Sequence, residues 1–278
     1  MAEQTAITDL YAVVGNPIAH SLSPQIHRLF AEQTQQSMSY EAIELPLYEF
    51  AEQIRELQQQ GFKGLNVTLP FKQQAWEICQ QTSPRAEQAR AVNTLVFMDN
   101  GEISGDNTDG AGLIRDLTYN HDTAIAQRKI LILGAGGAAR GALGPLLALE
   151  PENITIVNRT LEKAENLALD FSPVGQISTC SYDELGSEKF DLIINATAAG
   201  LSGQVPPIGK EVLDNNSICY DMMYNLDGPT AFVAWAKNHG VRSAIDGLGM
   251  LVEQAAESFY LWRDVRVSTA RVISHLRQ

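Results

Sequence analysis

The chain has 278 residues, of which 45% are apolar and 19% are charged, and its 20 Lys+Arg against 33 Asp+Glu give a formal net charge of −13 at pH 7. This composition is typical of a globular protein and argues against a disordered chain, and the length suffices for one large or two small domains. The acidic balance repels nucleic-acid backbones and anionic membrane surfaces, and no basic patch offsets it. We therefore expect a small-molecule partner, with neither nucleic acid nor a membrane, and leave a homodimer open.

Three cysteines, Cys79, Cys180 and Cys219, lack CxxC spacing and lie beside apolar residues. This pattern favours buried, reduced thiols in a cytoplasmic protein over a disulfide or a metal site. Residues 1–9 contain neither the basic nor the apolar part of a signal peptide, so we expect a cytoplasmic location.

The first half of the chain alternates strand-like and helix-like stretches. Strands are predicted at 10–14, 40–45 and 64–68, and helices at 50–59, at 71–79 and from Ser23 onward. Ser23 is predicted to cap its helix because Pro24 suits the first helical position. The β-α-β-α-β order predicts a parallel or mixed sheet covered by helices.

The second half repeats this alternation and predicts a doubly wound sheet. Strands are expected at 129–133, 154–157, 190–195, 217–222 and 241–245, with helices at 138–149, 161–171 and 230–239. Two α/β domains fit this organisation best. The last segment, 248–276, is helical throughout, and its periodicity does not decide whether it completes the second domain or covers the first.

A glycine-rich turn, Gly134-Ala135-Gly136-Gly137-Ala138-Ala139, follows the predicted strand 129–133 and opens a helix. In the GxGxxG/A pattern the first glycine permits a tight turn and the second lets the backbone approach a pyrophosphate. The small third residue lets the helix pack on the strand. The helix N-terminus then meets the phosphates. This context favours a dinucleotide site over a simple packing contact.

The end of the next strand indicates which dinucleotide is bound. A fold that selects NAD usually carries Asp or Glu there, but this chain reads Val157-Asn158-Arg159-Thr160. Arg159 can pair with a 2′-phosphate, assisted by Thr160 and by Lys163 one turn later. We therefore expect NADP. The alternative is that Arg159 merely solvates a helix start.

Hydroxyl and amide side chains cluster at predicted element ends in the first half, as expected of a site that binds a polyol. They are Ser21, Ser23, Asn66, Thr68, Asn93, Thr94, Asn107, Thr108 and Asp109. The carboxyl ends of parallel strands face one crevice, so these residues can converge. Lys72 and Asp109 form the candidate acid/base pair for proton transfer during hydride chemistry, with an ordinary surface salt bridge as the alternative.

Several ordered motifs together resemble the shikimate dehydrogenase family over nearly the whole chain. They are Gly15-Asn16-Pro17-Ile18, His20-Ser21-Leu22-Ser23-Pro24, Asn66-Val67-Thr68-Leu69-Pro70-Phe71-Lys72, Ala91-Val92-Asn93-Thr94, Gly105-Asp106-Asn107-Thr108-Asp109-Gly110, the glycine turn, Asn158-Arg159-Thr160, Asn195-Ala196-Thr197, Asp221-Met222-Met223-Tyr224 and Asp246-Gly247-Leu248-Gly249-Met250-Leu251-Val252-Glu253-Gln254.

The resemblance implies the reversible NADPH-dependent reduction of 3-dehydroshikimate to shikimate, on the route to aromatic amino acids. It implies a substrate-binding domain of residues 1–108 plus 248–278 and a Rossmann-type NADP-binding domain of residues 109–247. No metal is expected. The implied substrate contacts are Ser21, Ser23, Asn66, Thr68, Lys72, Asn93, Asp109, Tyr224 and Gln254, with Lys72 and Asp109 as the catalytic pair. The implied cofactor contacts are Gly134, Gly136, Gly137, Ala138, Asn158, Arg159, Thr160, Lys163, Thr197, Met222, Gly247 and Met250.

Two alternatives stay open at this point. A dual quinate/shikimate dehydrogenase would accept an extra hydroxyl and could use NAD, which Arg159 disfavours. A non-catalytic NADP-sensing module would keep the glycine turn but could lose the acid/base pair, whereas Lys72 and Asp109 are both present.

Overall fold

The computed structural model describes residues 8–278, except for the side chain of Leu201. Most of the stretch 1–9, on which the signal-peptide expectation rests, lies outside the described residues. The described chain forms two compact units. The first unit runs through Thr108 and includes Val252–His275, and the second holds Asp109–Leu251 and Leu276–Gln278. The resemblance implies 248–278 as part of the substrate-binding domain, and these domain bounds stay a prediction. The assignment of the units to substrate and cofactor stays a prediction.

The first unit is built on a six-stranded mixed sheet. Its strands, in spatial order, are β2 (Met38–Glu44), β1 (Asp9–Gly15), β3 (Phe62–Val67), β5 (Thr94–Phe97), β6 (Ile103–Asp106) and β4 (Gln81–Thr82). Strand β1 pairs in parallel with β2 and β3, whereas β5 runs antiparallel to β3 and β6. The sequence predicted a parallel or mixed sheet, and the sheet is mixed; the β5–β6 hairpin was not predicted.

Besides the C-terminal stretch Val252–His275, the first unit contains the helices α1 (Ser23–Thr34), α2 (Phe50–Gln59), α3 (Lys72–Glu77) and α4 (Pro84–Ala89). The predicted cap at Ser23 is wrong, because Ser23 is already helical and the cap position falls on Leu22. The backbone N–H of Ser23 donates to Ser21 Oγ at 3.3 Å. Ile54 of α2 and Phe71, just before α3, pack with Leu65 of β3 in one apolar core.

The second unit contains a six-stranded sheet whose strands are all parallel. In spatial order they are β12 (Ser243–Asp246), β11 (Ile218–Asp221), β10 (Leu192–Asn195), β7 (Lys129–Leu133), β8 (Asn153–Val157) and β9 (Ile177–Cys180). The central strands are apolar on both faces, which suits a sheet covered on both sides. The edge strand β9 was not predicted, since its half-exposed Ile-Ser-Thr-Cys sequence carries only a weak apolar pattern.

The helices of the second unit are α5 (Asp109–Arg115), which continues into a π-helical turn at Asp116–Asn120, α6 (Gly137–Leu147), α7 (Leu161–Phe171) and α8 (Ala231–Asn238). The C-terminal segment is helical as predicted and is divided into two helices, α9 (Leu248–Arg263) and α10 (Thr269–Leu276). Asp264 separates them in a left-handed conformation, with φ of 52°.

The three cysteines are free thiols. Cys219 is buried as predicted, but the prediction is wrong for Cys79 and Cys180, which are only partly buried: Cys79 follows the end of α3, and Cys180 is the last residue of the edge strand β9. Burial raises the pKa of both Cys79 and Cys219 to about 12, so these thiols are protonated and unreactive at neutral pH. In the described part of the chain, no helix has the length and apolar character needed to cross a membrane.

A buried histidine lies inside the aromatic core of the first unit. His27 on α1 is fully buried and stacks on Tyr40, with ring centroids 4.1 Å apart and planes 7° apart. Phe30 packs against the same imidazole edge-on, at 5.8 Å. Neither ring nitrogen has a hydrogen-bond partner. Burial lowers the pKa of His27 to about 3, so the folded chain holds it neutral.

This burial predicts a pH-dependent cost to stability. The pKa of His27 falls from an ordinary 6.5 to about 3 on folding, so below pH 6.5 the unfolded chain takes up a proton that the folded chain does not. Each pH unit below that value therefore removes about 1.4 kcal/mol at this residue. His27→Phe keeps the ring stack and should gain roughly 2 kcal/mol relative to wild type between about pH 7 and pH 5.

Urea unfolding of both proteins across this pH range measures the difference. A difference between His27→Phe and wild type that does not change with pH would mean that His27 takes up a proton equally in the folded and unfolded chain, contrary to this prediction.

Candidate active site

The first unit contains a buried network of amide and hydroxyl groups centred on Asn66, near the end of β3. Tyr40 Oη donates to Asn66 Oδ1 at 2.7 Å. The Asn66 amide nitrogen lies within donating distance of Ser258 Oγ (2.9 Å), Asn93 O (3.1 Å) and Thr94 Oγ1 (3.1 Å). The amide of Asn66 is thereby fixed in one orientation, with its oxygen toward Tyr40.

Asn93, immediately before β5, extends the same network. Its amide nitrogen donates to Thr108 Oγ1 at 2.9 Å and to Gln254 Oε1 at 3.2 Å. Its side-chain oxygen accepts from the backbone N–H of Thr108 at 2.9 Å. Residues from β3, β5, the segment after β6 and helix α9 thus meet at one place. The structure brings together Asn66, Asn93 and Thr108, which the sequence pattern had grouped, with Gln254, which the family resemblance had added.

Sequence reasoning missed two members of this network, Tyr40 and Ser258. Ser258 lies four residues after Gln254 on α9, so helical spacing places both on one face and could have signalled it. Tyr40 gave no such signal, because its contact with Asn66 depends on the pairing of β1 with both β2 and β3.

The segments after β1 and β3 lie side by side in the first unit. The backbone N–H of Asn16 donates to Leu69 O at 3.0 Å, and that of Thr68 donates to Val14 O at 2.9 Å. This pairing brings the segment that carries Ser21 and Ser23 toward the segment that carries Thr68 and Lys72. Ser21, Thr68 and Lys72 are half-buried, and Ser23 is buried.

Lys72 is the first residue of α3, and Asp109 is the first residue of α5 in the second unit. Asp109 is half-buried, like Lys72. Their action as a catalytic pair stays a prediction.

The glycine turn of the second unit forms a surface without side chains. Gly134 has φ of +101°, and a Cβ there would lie 3.0 Å from Thr197 Cγ2, so the position requires glycine. A Cβ on Gly136 or Gly137 would instead project into open space. Helix α6 begins at Gly137, and Ala139 is buried in the core beneath it. The open backbone from Gly134 to Gly137, the phosphate cradle, fits a pyrophosphate at a helix N-terminus.

Two exposed cations follow β8. Arg159 and Lys163 both lie at the surface, and Arg159 makes no hydrogen bond or ion pair among residues 8–278. Asn158 Nδ2 donates to Thr160 O at 2.8 Å, which fixes the turn that carries Arg159. With no carboxylate at the end of this strand, the donor set fits the 2′-phosphate of NADP better than the free 2′-hydroxyl of NAD.

The remaining predicted cofactor residues lie after β10, β11 and β12. The backbone N–H of Gly247 donates to Met223 O at 2.9 Å, and a Cβ on Gly247 would lie 2.4 Å from Met222 O, so only glycine fits. Thr197 donates to Asn195 Oδ1 from both its N–H and its hydroxyl. Met250 is buried in the core of this unit.

Tyr224, the predicted second-unit contact to the substrate carboxylate, is half-buried. Burial raises the pKa of its phenol. The hydroxyl therefore stays protonated at neutral pH and can donate a hydrogen bond to an anion.

A parallel sheet with this glycine turn and these cations places the second unit in the class of Rossmann-type dinucleotide-binding domains. Three family descriptions match the chain. They are the shikimate dehydrogenase substrate binding domain at residues 13–95, shikimate / quinate 5-dehydrogenase at residues 117–203 and the shikimate 5′-dehydrogenase C-terminal domain at residues 247–277.

Individual relatives agree with these matches. Shikimate dehydrogenase (NADP(+)) of Alkalilimnicola ehrlichii is 52% identical over 271 residues, covering 98% of this chain and 99% of that protein. The crystal structure of an Ael1 enzyme from Pseudomonas putida superposes with a TM-score of 0.91 at 42% identity, covering 98% and 99% of the two chains.

Shikimate 5-dehydrogenase from Thermus thermophilus, solved in complex with NADP(H) and shikimate, gives a TM-score of 0.85 at 29% identity, covering 97% of this chain and 99% of that one. The chain belongs to the shikimate dehydrogenase family.

The open space at Gly136 predicts a variant that loses cofactor binding without losing stability. Gly136 has φ of −91°, which alanine adopts freely, but the added methyl group would occupy the phosphate cradle. Gly136→Ala should raise the Kd for NADPH about tenfold, equivalent to roughly 1.4 kcal/mol, with an unchanged Tm. Titration of NADPH fluorescence and thermal unfolding measure the two quantities.

Gly134→Ala is the structural control. Its positive φ and the nearby Thr197 methyl group should lower the Tm as well as the affinity. Wild-type affinity in Gly136→Ala would exclude a phosphate cradle at this turn.

Proposed function

We propose that this chain catalyses the reversible NADPH-dependent reduction of 3-dehydroshikimate to shikimate, in the biosynthesis of aromatic amino acids. The observation that carries the proposal is the buried network joining Asn66, Asn93 and Gln254, in a family member that also has an NADP-type turn. Such a network holds fixed donors and acceptors ready for a polyol ring, and an ordered site loses little entropy on binding.

The first unit is the proposed substrate domain. Asn66, Asn93 and Gln254 bind ring hydroxyls, with Thr68, Lys72 and Asp109 completing the set. Ser21 and Ser23, with Tyr224, donate hydroxyl hydrogen bonds to the substrate carboxylate. Neutral donors next to one lysine suffice for this anion, which is compatible with a chain of net charge −13.

The second unit is the proposed NADP domain. Gly134, Gly136, Gly137 and Ala138 approach the pyrophosphate, and the 2′-phosphate lies against Asn158, Arg159, Thr160 and Lys163. Thr197, Met222, Gly247 and Met250 line the nicotinamide end. Bound NADPH supplies the hydride for reduction of the ring carbonyl carbon.

Lys72 and Asp109 carry the proton chemistry in this proposal. The Lys72 ammonium donates a proton to the carbonyl oxygen as the carbon is reduced, and it accepts that proton back in the reverse direction. Asp109 holds the ammonium and the reacting hydroxyl in line for this transfer.

We further propose a cytoplasmic location, which the three free cysteines support, since a reducing compartment keeps thiols unpaired. A homodimer stays a prediction, and sedimentation equilibrium would measure the assembly.

Loss of the proposed proton carrier should remove turnover more than binding. Lys72→Met keeps much of the side-chain volume and deletes the ammonium, so kcat should fall about 10²–10⁴-fold in both directions while the Kd for NADPH stays near that of wild type. Steady-state rates over a range of pH, together with NADPH titration, measure this split.

Lys63→Met, at an exposed lysine on β3 of the same unit, is the matched control and should keep wild-type kinetics. A Lys72→Met effect confined to KM, with kcat and its pH profile unchanged, would reduce Lys72 to a binding residue.

Arg159 should set the cofactor preference. Arg159→Asp replaces a partner of the 2′-phosphate with a repelling carboxylate, so the ratio of kcat/KM for NADP to that for NAD should fall by about tenfold or more, roughly 1.4 kcal/mol. Lys210→Asp changes the charge equally at another exposed site of the second unit and should leave the ratio unchanged. An unaltered ratio in Arg159→Asp would place the 2′-phosphate elsewhere.

A further inference from the structure

A buried carboxylate at the end of β11 has no role in the scheme above. Asp221 is fully buried, and no cation bonds to it within residues 8–278. Its oxygens accept three hydrogen bonds, from Thr230 Oγ1 at 2.6 Å, from Asn195 Nδ2 at 3.0 Å and from the backbone N–H of Met223 at 3.1 Å. Burial raises the pKa of this carboxyl. A buried carboxylate costs free energy of folding, so we ask what Asp221 does for the molecule.

The three donors come from three separate segments at one edge of the sheet. Asn195 ends β10 and Asp221 ends β11, and the two residues are register partners. Thr230 caps helix α8, where its hydroxyl also accepts from the N–H of Val233. The carboxyl ends of parallel strands are where dinucleotides bind, so Asp221 ties together the segments that face the ligand.

Two of these segments carry proposed nicotinamide contacts. Asn195 donates to Asp221 through its amide nitrogen, while its amide oxygen accepts from the N–H of Thr197 at 3.1 Å and from the Thr197 hydroxyl at 2.7 Å. The orientation of the Asn195 amide is thus set by Asp221, and the position of Thr197 is set by that amide.

The second segment is the turn after β11. The N–H of Met223 donates to Asp221, and the Met223 carbonyl accepts from the N–H of Gly247 at 2.9 Å. Gly247 in turn packs directly on the Met222 carbonyl, where a Cβ would come within 2.4 Å. One carboxylate therefore fixes Thr197 on one side and the contact between Met222 and Gly247 on the other.

We propose that Asp221 is the positioning residue for the nicotinamide end of NADP, acting through Asn195 and the Met223 amide. This inference rests on the proposed function, because it takes Thr197, Met222 and Gly247 as nicotinamide contacts. Asp221 itself does not touch the cofactor. It aligns two segments whose relative placement sets the direction from which the hydride is transferred.

The three hydrogen bonds that Asp221 accepts predict different effects for its replacement by alanine and by asparagine. Asp221→Ala removes the acceptor for all three donors, which leaves Asn195 free to rotate and the Met223 amide unpaired. Asp221→Asn keeps the shape, because its oxygen can accept from Asn195 and Met223 while its nitrogen donates to the Thr230 hydroxyl. The asparagine variant should therefore rescue most of what alanine loses.

The experiment compares two ligands on the whole chain by fluorescence and calorimetric titration. One ligand is NADPH, and the other is 2′-phospho-ADP-ribose, which lacks the nicotinamide. Asp221→Ala should raise the Kd for NADPH about tenfold and lower kcat for 3-dehydroshikimate, with the Kd for 2′-phospho-ADP-ribose and the KM for the substrate near wild type. Asp221→Asn should stay within about threefold of wild type for both ligands.

Ser217→Ala is the matched control. Ser217 is fully buried just before β11 and donates to Phe190 O at 2.7 Å, at the opposite end of the strand from Asp221. Its loss should lower the Tm and leave both affinities unchanged. An equal loss of both ligands in Asp221→Ala, or a lower Tm with unchanged NADPH affinity, would make Asp221 a structural residue only and overturn the proposal.

If Asp221→Ala does not fold, a second pair of variants tests whether Asp221 positions the nicotinamide contacts. Asn195→Asp opposes two carboxylates and should weaken NADPH binding about tenfold. The exchange Asn195→Asp with Asp221→Asn restores one amide-to-carboxylate bond but turns the nitrogen of the introduced asparagine toward the Met223 N–H, so it should recover only the part of that loss that depends on Asn195 and Thr197. An exchanged variant no better than Asn195→Asp alone would also overturn the proposal.

The two proposals fail separately. A wild-type chain that binds NADPH but does not reduce 3-dehydroshikimate contradicts the proposed function, while the ligand comparison still tests Asp221. An active wild type with an Asp221→Ala variant of normal NADPH affinity and kcat contradicts only the role of Asp221.

Discussion

The need to satisfy buried amide and carboxyl groups at the ends of strands organises both units of this chain. In the first unit, Asn66 and Asn93 can be buried only because Tyr40, Thr108 and α9 supply partners for their side chains. In the second unit, Asp221 and Asn195 satisfy each other. Each group would cost several kcal/mol if it were buried alone, so partners distant in sequence are held at fixed positions.

The same constraint applies to both units, although their sheets differ in topology. A parallel sheet gathers its strand ends at one edge, and polar side chains there either satisfy one another or face a ligand. In the first unit the gathered groups are neutral hydroxyls and amides, suited to a polyol. In the second unit Asp221 and Asn195 fix the segments after β10 and β11, while the glycine turn after β7 leaves room for phosphates. The class of ligand that each unit can bind thus depends on the side chains and backbone groups at its strand ends.

Local patterns in the sequence predicted the second unit best. The strand Lys129–Leu133 and the helix Leu161–Phe171 have the predicted bounds, and the glycine turn lies between a strand and a helix as expected. These elements are specified by contiguous apolar runs and by glycines that need open or positive-φ backbone. Strand β9 was not predicted, because an edge strand buries little apolar surface and needs few apolar residues.

Tertiary contacts account for most of what the sequence did not predict. The contact of Tyr40 with Asn66 requires neighbouring strands, and the division of the last segment at Asp264 requires a left-handed residue that helical periodicity does not reveal. Ser23 carries a typical capping side chain but occupies a helical position. The grouping of Asn66, Asn93 and Gln254 was predicted through family motifs, and the structure supplies its physical basis.

Both units of this chain serve one reaction, the transfer of a hydride between NADP and the shikimate ring. The most direct measurement is the rise in reduced-nicotinamide absorbance when the purified chain is mixed with shikimate or quinate and with NADP or NAD, in all four combinations. The fastest rise is expected with shikimate and NADP. No rise in any combination would contradict this reaction, and a rise confined to quinate with NAD would contradict both the substrate and the cofactor assigned here.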